Sequence, residues 1–205
     1  MDRLEEKETG RIEAFSDGVF AIAITLLVLE IKVPHHNTVE TSGLVSALLS
    51  LWPSYLAFLT SFATILVMWV NHHRIFSLVR RSDHLFFYWN GLLLLFVTFI
   101  PFPTAVLAEY LTHPEAKIAA TVYAGTFLAI ALAFQGLWRH VSRGGRLLAQ
   151  GAKREDIDGI TKQFRFGPPL YLTAFILSFI SVWLSVGLCI FLAVFFAFPG
   201  LSSNQ

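Results

Sequence analysis

The chain of 205 residues is 55% hydrophobic and only 14% charged, and its formal net charge is +1. Soluble globular domains carry about 25% charged residues, so this composition excludes an ordinary soluble domain and indicates an integral membrane protein. The single cysteine, Cys189, excludes an intrachain disulfide, and the sequence contains no Cys-His spacing that is typical of a metal site.

Apolar stretches predict an all-α membrane protein with six spanning helices, because one crossing requires about 20 apolar residues. We expect these helices at about 13–33, 52–80, 84–109, 115–140, 167–181 and 184–198. The last two share one apolar stretch, with a turn expected near residues 181–185. Pro34 is expected to end the first helix, and Pro168 and Pro169 to open the fifth. The pattern predicts one transmembrane domain over residues 1–205.

Basic residues concentrate on one side of the predicted membrane. Thirteen of the fifteen lysines and arginines precede the first helix or lie in the loops after the second and fourth helices. Only Lys32 and Lys117 lie on the other side. The positive-inside rule therefore predicts that the N-terminus and the basic loops are cytoplasmic. We interpret these charges as topology signals, and they do not predict nucleic-acid binding.

The first predicted helix carries a polar motif at its cytoplasmic end. Arg11, Phe15, Ser16 and Asp17 introduce a nearly unbroken apolar stretch. A carboxylate at the edge of a membrane helix is costly unless it is paired or functional. On a helical wheel Asp17 points sideways from a face that carries Ala14, Gly18, Ile22, Thr25, Leu26 and Leu29. Nearly every side of the helix is apolar, so periodicity alone does not select the face that lines a pore.

The second predicted helix ends in a polar group on the same cytoplasmic side. It contains Trp69, Asn71, His72 and His73. We predict that these side chains form a cluster with the polar motif of the first helix, because buried polar atoms seldom remain unpaired. A zinc site is the competing interpretation. Adjacent histidines on a helix point about 100° apart, which disfavours shared coordination of one metal ion.

These motifs resemble those of a known family of membrane proteins. Arg11, Phe15, Ser16 and Asp17, followed by GVFAIAITLLVLEIKVP, resemble the signature of the bacterial relatives of transmembrane protein 175, the lysosomal potassium channel. The second helix fits the same pattern with Trp69, Asn71, His72 and His73, and the third helix fits it with its break at Pro101 and Phe102. The resemblance spans most of the chain, and its strongest part covers about twenty residues.

The resemblance implies a homotetramer of six-helix subunits in a bacterial inner membrane, with the first helix of each lining a central potassium-permeable pore. It implies that Ile22 forms the constriction, that Leu26 and Leu29 form further apolar rings, and that Thr25 is a polar pore-lining residue. It also implies a structural network of Arg11, Phe15, Ser16, Asp17, Trp69, Asn71, His72 and His73. The implied partners are potassium ions, membrane lipid and other copies of the chain, without a cofactor.

The filter sequence T-V-G-Y-G is absent, so the implied selectivity must arise in another way. A narrow apolar ring can gate by dewetting, and differences in dehydration free energy could then favour potassium over sodium. The alternative function is a proton-coupled secondary transporter that uses Asp17 with His72 or His73 as a proton relay. The lack of an internal repeat disfavours it. No H-E-x-x-H or G-x-S-x-G pattern occurs, which disfavours an enzyme. Glu30 and Lys32 mark either an outer cation-concentrating ring or the membrane interface, and we favour the interface.

Overall fold

The structure is a computed structural model that describes residues 2–197, with side chains from residue 9 onward. Regular structure in that range is helical, apart from one isolated antiparallel bridge. The α-helices are α1 (Asp2–Leu26), α2 (His36–Ser42), α3 (Leu44–Ser50), α4 (Trp52–Phe76), α5 (His84–Phe99), α6 (Pro101–Tyr110), α7 (Ala116–Ser142), α8 (Arg154–Ser178) and α9 (Val182–Ala197). Short 3-10 segments follow α1 at Leu27–Glu30 and α7 at Arg143–Gly145. The prediction of an all-α fold is confirmed.

Four stretches of the described chain are long and apolar enough to cross a membrane. They are Thr9–Glu30, Trp52–Phe76, His84–Tyr110 and Ala116–Gly145. The other two predicted crossings fall in α8 and in the shorter apolar helix α9, and they remain predictions. The predicted end of the sixth helix at residue 198 lies outside the described residues.

The helix bounds differ from the predicted ones where local chemistry overrides the apolar pattern. α1 begins at Asp2 instead of about residue 13, because the polar leader is rich in good helix formers such as glutamate and lysine. The second predicted helix ends at Phe76, four residues before its expected end. The third is interrupted at Ile100, because Pro101 has no amide hydrogen to continue the helical hydrogen bonds.

The prediction that Pro168 and Pro169 open a helix is wrong, because both lie inside α8. The polar half of α8 that precedes them packs against α7. The Phe164 ring stacks on Phe134 with centroids 5.4 Å apart, and Trp138 Nε1 donates to Thr161 Oγ1 at 2.9 Å. These tertiary contacts stabilise the helix through two positions that cannot donate backbone hydrogen bonds.

α7 lies at the centre of the helix packing. It contacts α5, α6, α8 and α9, whereas α1 packs against α4 and α5. A buried hydroxyl group joins three of these helices. Ser61 Oγ on α4 lies 2.7 Å from Thr104 Oγ1 on α6 and 3.0 Å from the Tyr123 hydroxyl on α7. Such bonds hold membrane helices together where lipid supplies no hydrophobic driving force between them.

Two basic loops are joined at one end of the bundle. The Arg80 amide donates to the Leu147 carbonyl at 2.9 Å, and the Ala149 amide donates to the Leu78 carbonyl at 2.9 Å. These bonds flank the isolated bridge between Val79 and Leu148. The loop after α4 is therefore fixed to the loop between α7 and α8.

Asp83 caps the N-terminus of α5 beside these loops. Its Oδ1 accepts the Phe86 amide hydrogen at 2.8 Å, and its two oxygens lie 2.8 and 3.0 Å from His140 Nε2 on α7. Partial burial opposes ionisation, but the Phe86 and His140 hydrogen bonds and the charges of His140 and Arg146 outweigh it and lower the pKa of Asp83. The ionised carboxylate therefore stabilises the folded chain.

Asp83→Asn removes this charge while keeping a good N-cap. The folded pKa of Asp83 lies below the unfolded one, so its contribution is complete above about pH 4 and is lost as the pH falls further. Asp83 is 37% exposed, so we expect a contribution below about 1 kcal/mol. The difference in melting temperature between wild type and Asp83→Asn should shrink below pH 4. A difference that stays constant from pH 7 to pH 3 contradicts the prediction, and Glu115→Gln is the exposed control.

Candidate functional site

Helix α1 has one buried face and one uncovered face within the chain. Ser16, Phe20, Ala23 and Leu27 are buried against the neighbouring helices. The opposite face is exposed and carries Ala14, Phe15, Gly18, Ile22, Thr25, Leu26 and Leu29. Ile22 is 59% exposed and Leu29 is 68% exposed, although both are large and apolar. The face that the helical wheel groups together is thus the face that the rest of the chain leaves uncovered.

Thr25 is a polar residue on this uncovered face. Its hydroxyl donates to the Ile22 carbonyl at 2.9 Å, so its hydrogen is already used within the helix. The hydroxyl oxygen remains on the surface among apolar side chains. Glu30, at the end of the 3-10 segment, is half-buried, and Lys32 is exposed.

Asp17 lies at the side of α1, between its buried and uncovered faces. Trp69 Nε1 on α4 donates to Asp17 Oδ1 at 2.9 Å. One turn earlier, Glu13 Oε1 lies 2.9 Å from His73 Nδ1. These two contacts join the same pair of helices along their common edge.

A second polar contact lies deeper, between α1, α4 and α5. Asn90 Nδ2 donates to Ser16 Oγ at 3.0 Å, and Ser16 Oγ donates to the Ile12 carbonyl at 2.8 Å. Asn90 Oδ1 lies 2.9 Å from His72 Nε2, which is therefore the donor. His72 is fully buried, and its ring stacks on Phe76 with centroids 4.3 Å apart. One amide thus links a serine of α1 to a histidine of α4.

Asn90 was not among the predicted site residues. It is the amide in the apolar sequence YWNGLLLLF of the third predicted helix, and a polar side chain inside a membrane helix is itself a signal of a specific contact. That signal does not identify its partners, because the sequence does not give the rotation of α5 against α1.

Three predicted network residues lie outside these contacts. Asn71 Oδ1 accepts from Gln163 Nε2 at 2.9 Å, and Arg74 donates to Gln163 Oε1 at 3.0 Å, so Asn71 joins α4 to α8 instead of α1. Arg11 is exposed and makes no hydrogen bond or ion pair with residues 9–197. Phe15 is exposed on the uncovered face. Within the described range, no three His, Cys, Asp or Glu side chains are grouped to hold a metal ion.

Comparisons with known proteins identify the family. A family model described as the endosomal/lysosomal potassium channel TMEM175 matches residues 11–101. A potassium channel of Chamaesiphon minutus is 76% identical over 174 residues, which cover 85% of this chain and 86% of that protein. The chain belongs to the TMEM175 family. The family and the four apolar spans together establish an integral membrane protein, and the predicted family membership is confirmed.

Other members differ in length and in the ion that their names give. A potassium channel of Streptomyces collinus is 54% identical over 141 residues, with 68% of each chain covered. The human endosomal/lysosomal proton channel TMEM175 is 35% identical over 145 residues, which cover 67% of this chain and only 29% of that protein.

Solved structures of the TMEM175 family share the fold. A crystal structure of a lysosomal potassium-selective channel TMEM175 homolog from Chamaesiphon minutus matches with a TM-score of 0.88 and 72% identity. The match covers 97% of this chain and 100% of that one. The potassium channel MtTMEM175 T38A variant matches with a TM-score of 0.62 at 23% identity, covering 95% and 94%, which supports the fold alone.

Asn90→Ala should destabilise the protein more than the same substitution at an exposed asparagine. It removes the donor to Ser16 and the acceptor of His72, and an unsatisfied buried polar group costs about 1–3 kcal/mol. Thermal unfolding in detergent measures the loss. Asn37→Ala, on the exposed surface of α2, is the matched control and should change stability by less than about 0.5 kcal/mol. Equal melting of Asn90→Ala and wild type contradicts the structural role.

Proposed function

We propose that this chain forms a homotetrameric, potassium-permeable cation channel that conducts passively through a pore lined by α1. The observation that carries the proposal is the uncovered apolar face of α1, opposite the side anchored to α4 and α5. We infer potassium as the permeant ion because similar proteins are named potassium channels. Copies of α1 around a symmetry axis would remove this face from lipid and turn it toward a common pore.

The proposed constriction consists of Ile22, Leu26 and Leu29. Ile22 and Leu26 lie one turn apart on α1, and Leu29 lies about one turn further on, in the 3-10 segment. With a rise of about 1.5 Å per residue in the α-helix and about 2 Å in the 3-10 segment, the three positions span about 12 Å. Four copies of each side chain would form three stacked apolar rings. A narrow apolar ring obstructs ions by expelling water, and it needs no carbonyl filter. Thr25 would supply a hydroxyl oxygen between the rings.

The proposed role of the polar network is to position the pore helix. Asp17 contacts Trp69 on the side of α1, and Ser16 contacts Asn90 on its back. Both contacts would break if α1 rotated by one residue, since one residue is about 100°. The network therefore supports one orientation of Ile22 relative to the rest of the subunit. We also propose that the basic loops lie in the cytoplasm of a bacterium, following the positive-inside rule.

The contacts do not favour the alternative of a proton-coupled transporter. A relay requires the proton-carrying groups to be connected. Within the described residues Asp17 bonds to Trp69 while His72 bonds to Asn90, so the two share no hydrogen bond. His73 bonds to Glu13 at the exposed end of α1.

A planar lipid bilayer that contains the purified protein separates the two functions. For a potassium channel, a potassium gradient at equal pH should shift the reversal potential toward the potassium equilibrium value. A pH gradient at equal potassium should leave the reversal potential near zero. Bilayers without protein control for leak. A reversal potential that follows the pH gradient, or transport that requires one, contradicts the proposal.

Ile22→Asn should wet the proposed constriction. Conductance should rise and the preference for potassium over sodium should fall. If wetting lowers the barrier by about 1.4 kcal/mol, the current rises about tenfold. Single-channel recording and reversal potentials in mixed potassium and sodium solutions measure both effects.

Ile176→Asn is the matched control, because Ile176 is a 52% exposed isoleucine on α8. It should leave conductance and selectivity unchanged. If an intact Ile22→Asn tetramer has unchanged currents, Ile22 does not form the constriction. If the wild-type protein is monomeric both in detergent and in bilayers, the proposal of a central pore is wrong.

A further inference from the structure

A groove of about 440 Å³ runs along the outside of the bundle between α5 and α7. Trp89, Leu92 and Phe96 line it from α5, and Ala129 and Leu132 line it from α7. Arg139 lines it at its basic end, one turn after Gln135.

The tight packing of Trp89 on α7 shapes the groove at its basic end. A Cβ atom on Gly136 would lie only 2.4 Å from the Trp89 ring, so glycine is required for the indole to lie against the backbone of α7. This close approach places an aromatic ring beside Arg139. Tryptophan with a basic residue is typical of the interface between membrane and water.

The length of the groove matches one leaflet of a bilayer. From Ala129 to Arg139 a helix rises about 15 Å. The hydrocarbon core of a bilayer is about 30 Å thick, so one leaflet contributes about 15 Å. An acyl chain that fills the groove would therefore bring its headgroup to the level of Arg139.

Arg139 carries a positive charge at that level. It is exposed and makes no hydrogen bond or ion pair with residues 9–197. The nearby carboxylate, Asp83, already accepts from Phe86 and His140 and lies 4.0 Å from Arg146. Arg143, which directly follows α7 in the 3-10 segment, adds a second exposed positive charge.

We propose that this groove is a binding site for one anionic phospholipid, with an acyl chain along the groove and its phosphate at Arg139. Positive charge between membrane helices at the basic side of a protein attracts anionic headgroups. The site does not depend on the proposed channel function. α5 contacts α1 through Asn90 and α7 through Trp89, so the groove lies apart from the uncovered face of α1.

Fluorescence quenching tests the site in phosphatidylcholine vesicles that contain phosphatidylglycerol. Bromine atoms on the acyl chains of one lipid quench nearby tryptophans, and Trp89 is one of five in the chain. Brominated phosphatidylglycerol should quench more strongly than brominated phosphatidylcholine at the same mole fraction. Trp89→Phe should abolish this difference.

Arg139→Gln should lower the preference for phosphatidylglycerol about fivefold, since one basic side chain near anionic lipid contributes about that factor. Arg165→Gln is the matched control, because Arg165 is exposed on α8 and does not line the groove. If Trp89→Phe does not fold, Arg139→Gln decides alone.

Three outcomes overturn the proposal. One is a wild-type lipid preference in Arg139→Gln. Another is that wild type and Trp89→Phe show the same difference in tryptophan quenching between the two brominated lipids. The third is quenching of Trp89 by neither lipid, as expected if a second copy of the chain covers the groove.

Discussion

The hydrogen bonds of Asn90 fix the relative rotation of three helices. This amide joins Ser16 on α1 to His72 on α4 from its place on α5. In a setting without water, a buried polar group that loses its partner costs free energy, so the three helices are held in one relative rotation. That rotation decides which side of α1 faces the bundle. The uncovered face of Ile22 and Leu29 is its consequence.

Polar contacts at the basic end of the bundle reinforce the same arrangement. Glu13 contacts His73, Asp17 contacts Trp69, and the two loops beside Asp83 share backbone hydrogen bonds. Apolar packing between helices gains little over packing against lipid, so these contacts carry much of the specificity. The uncovered face of α1 makes none of these polar contacts with the described residues, so it is free to contact other molecules in the membrane.

The helices show where sequence patterns succeed and where they fail. Hydropathy predicted the first four spans because that signal depends only on local composition. It placed Pro168 and Pro169 at a helix start because local rules treat proline as a boundary. The contacts of Phe164 and Thr161 with α7 extend α8 through both prolines, and such contacts are absent from any local rule. Asn71 shows the same limit, because its partner Gln163 lies 92 residues away.

The sequence by itself determined the class of protein and the family, and it grouped Ile22, Leu26 and Leu29 on one side of α1, because composition, motif and helical periodicity are local properties. Only the tertiary structure decided that this side stays uncovered. The sequence also placed Ser16, Asp17, Trp69 and His72 among the residues of interest. Only the tertiary structure decided that Asn90 connects Ser16 to His72 and that Arg11 and Asn71 take no part in these contacts. It also decided that a groove opens beside Trp89. The physical reason is that a side chain finds its partner through the relative rotation of packed helices, which no single helix encodes.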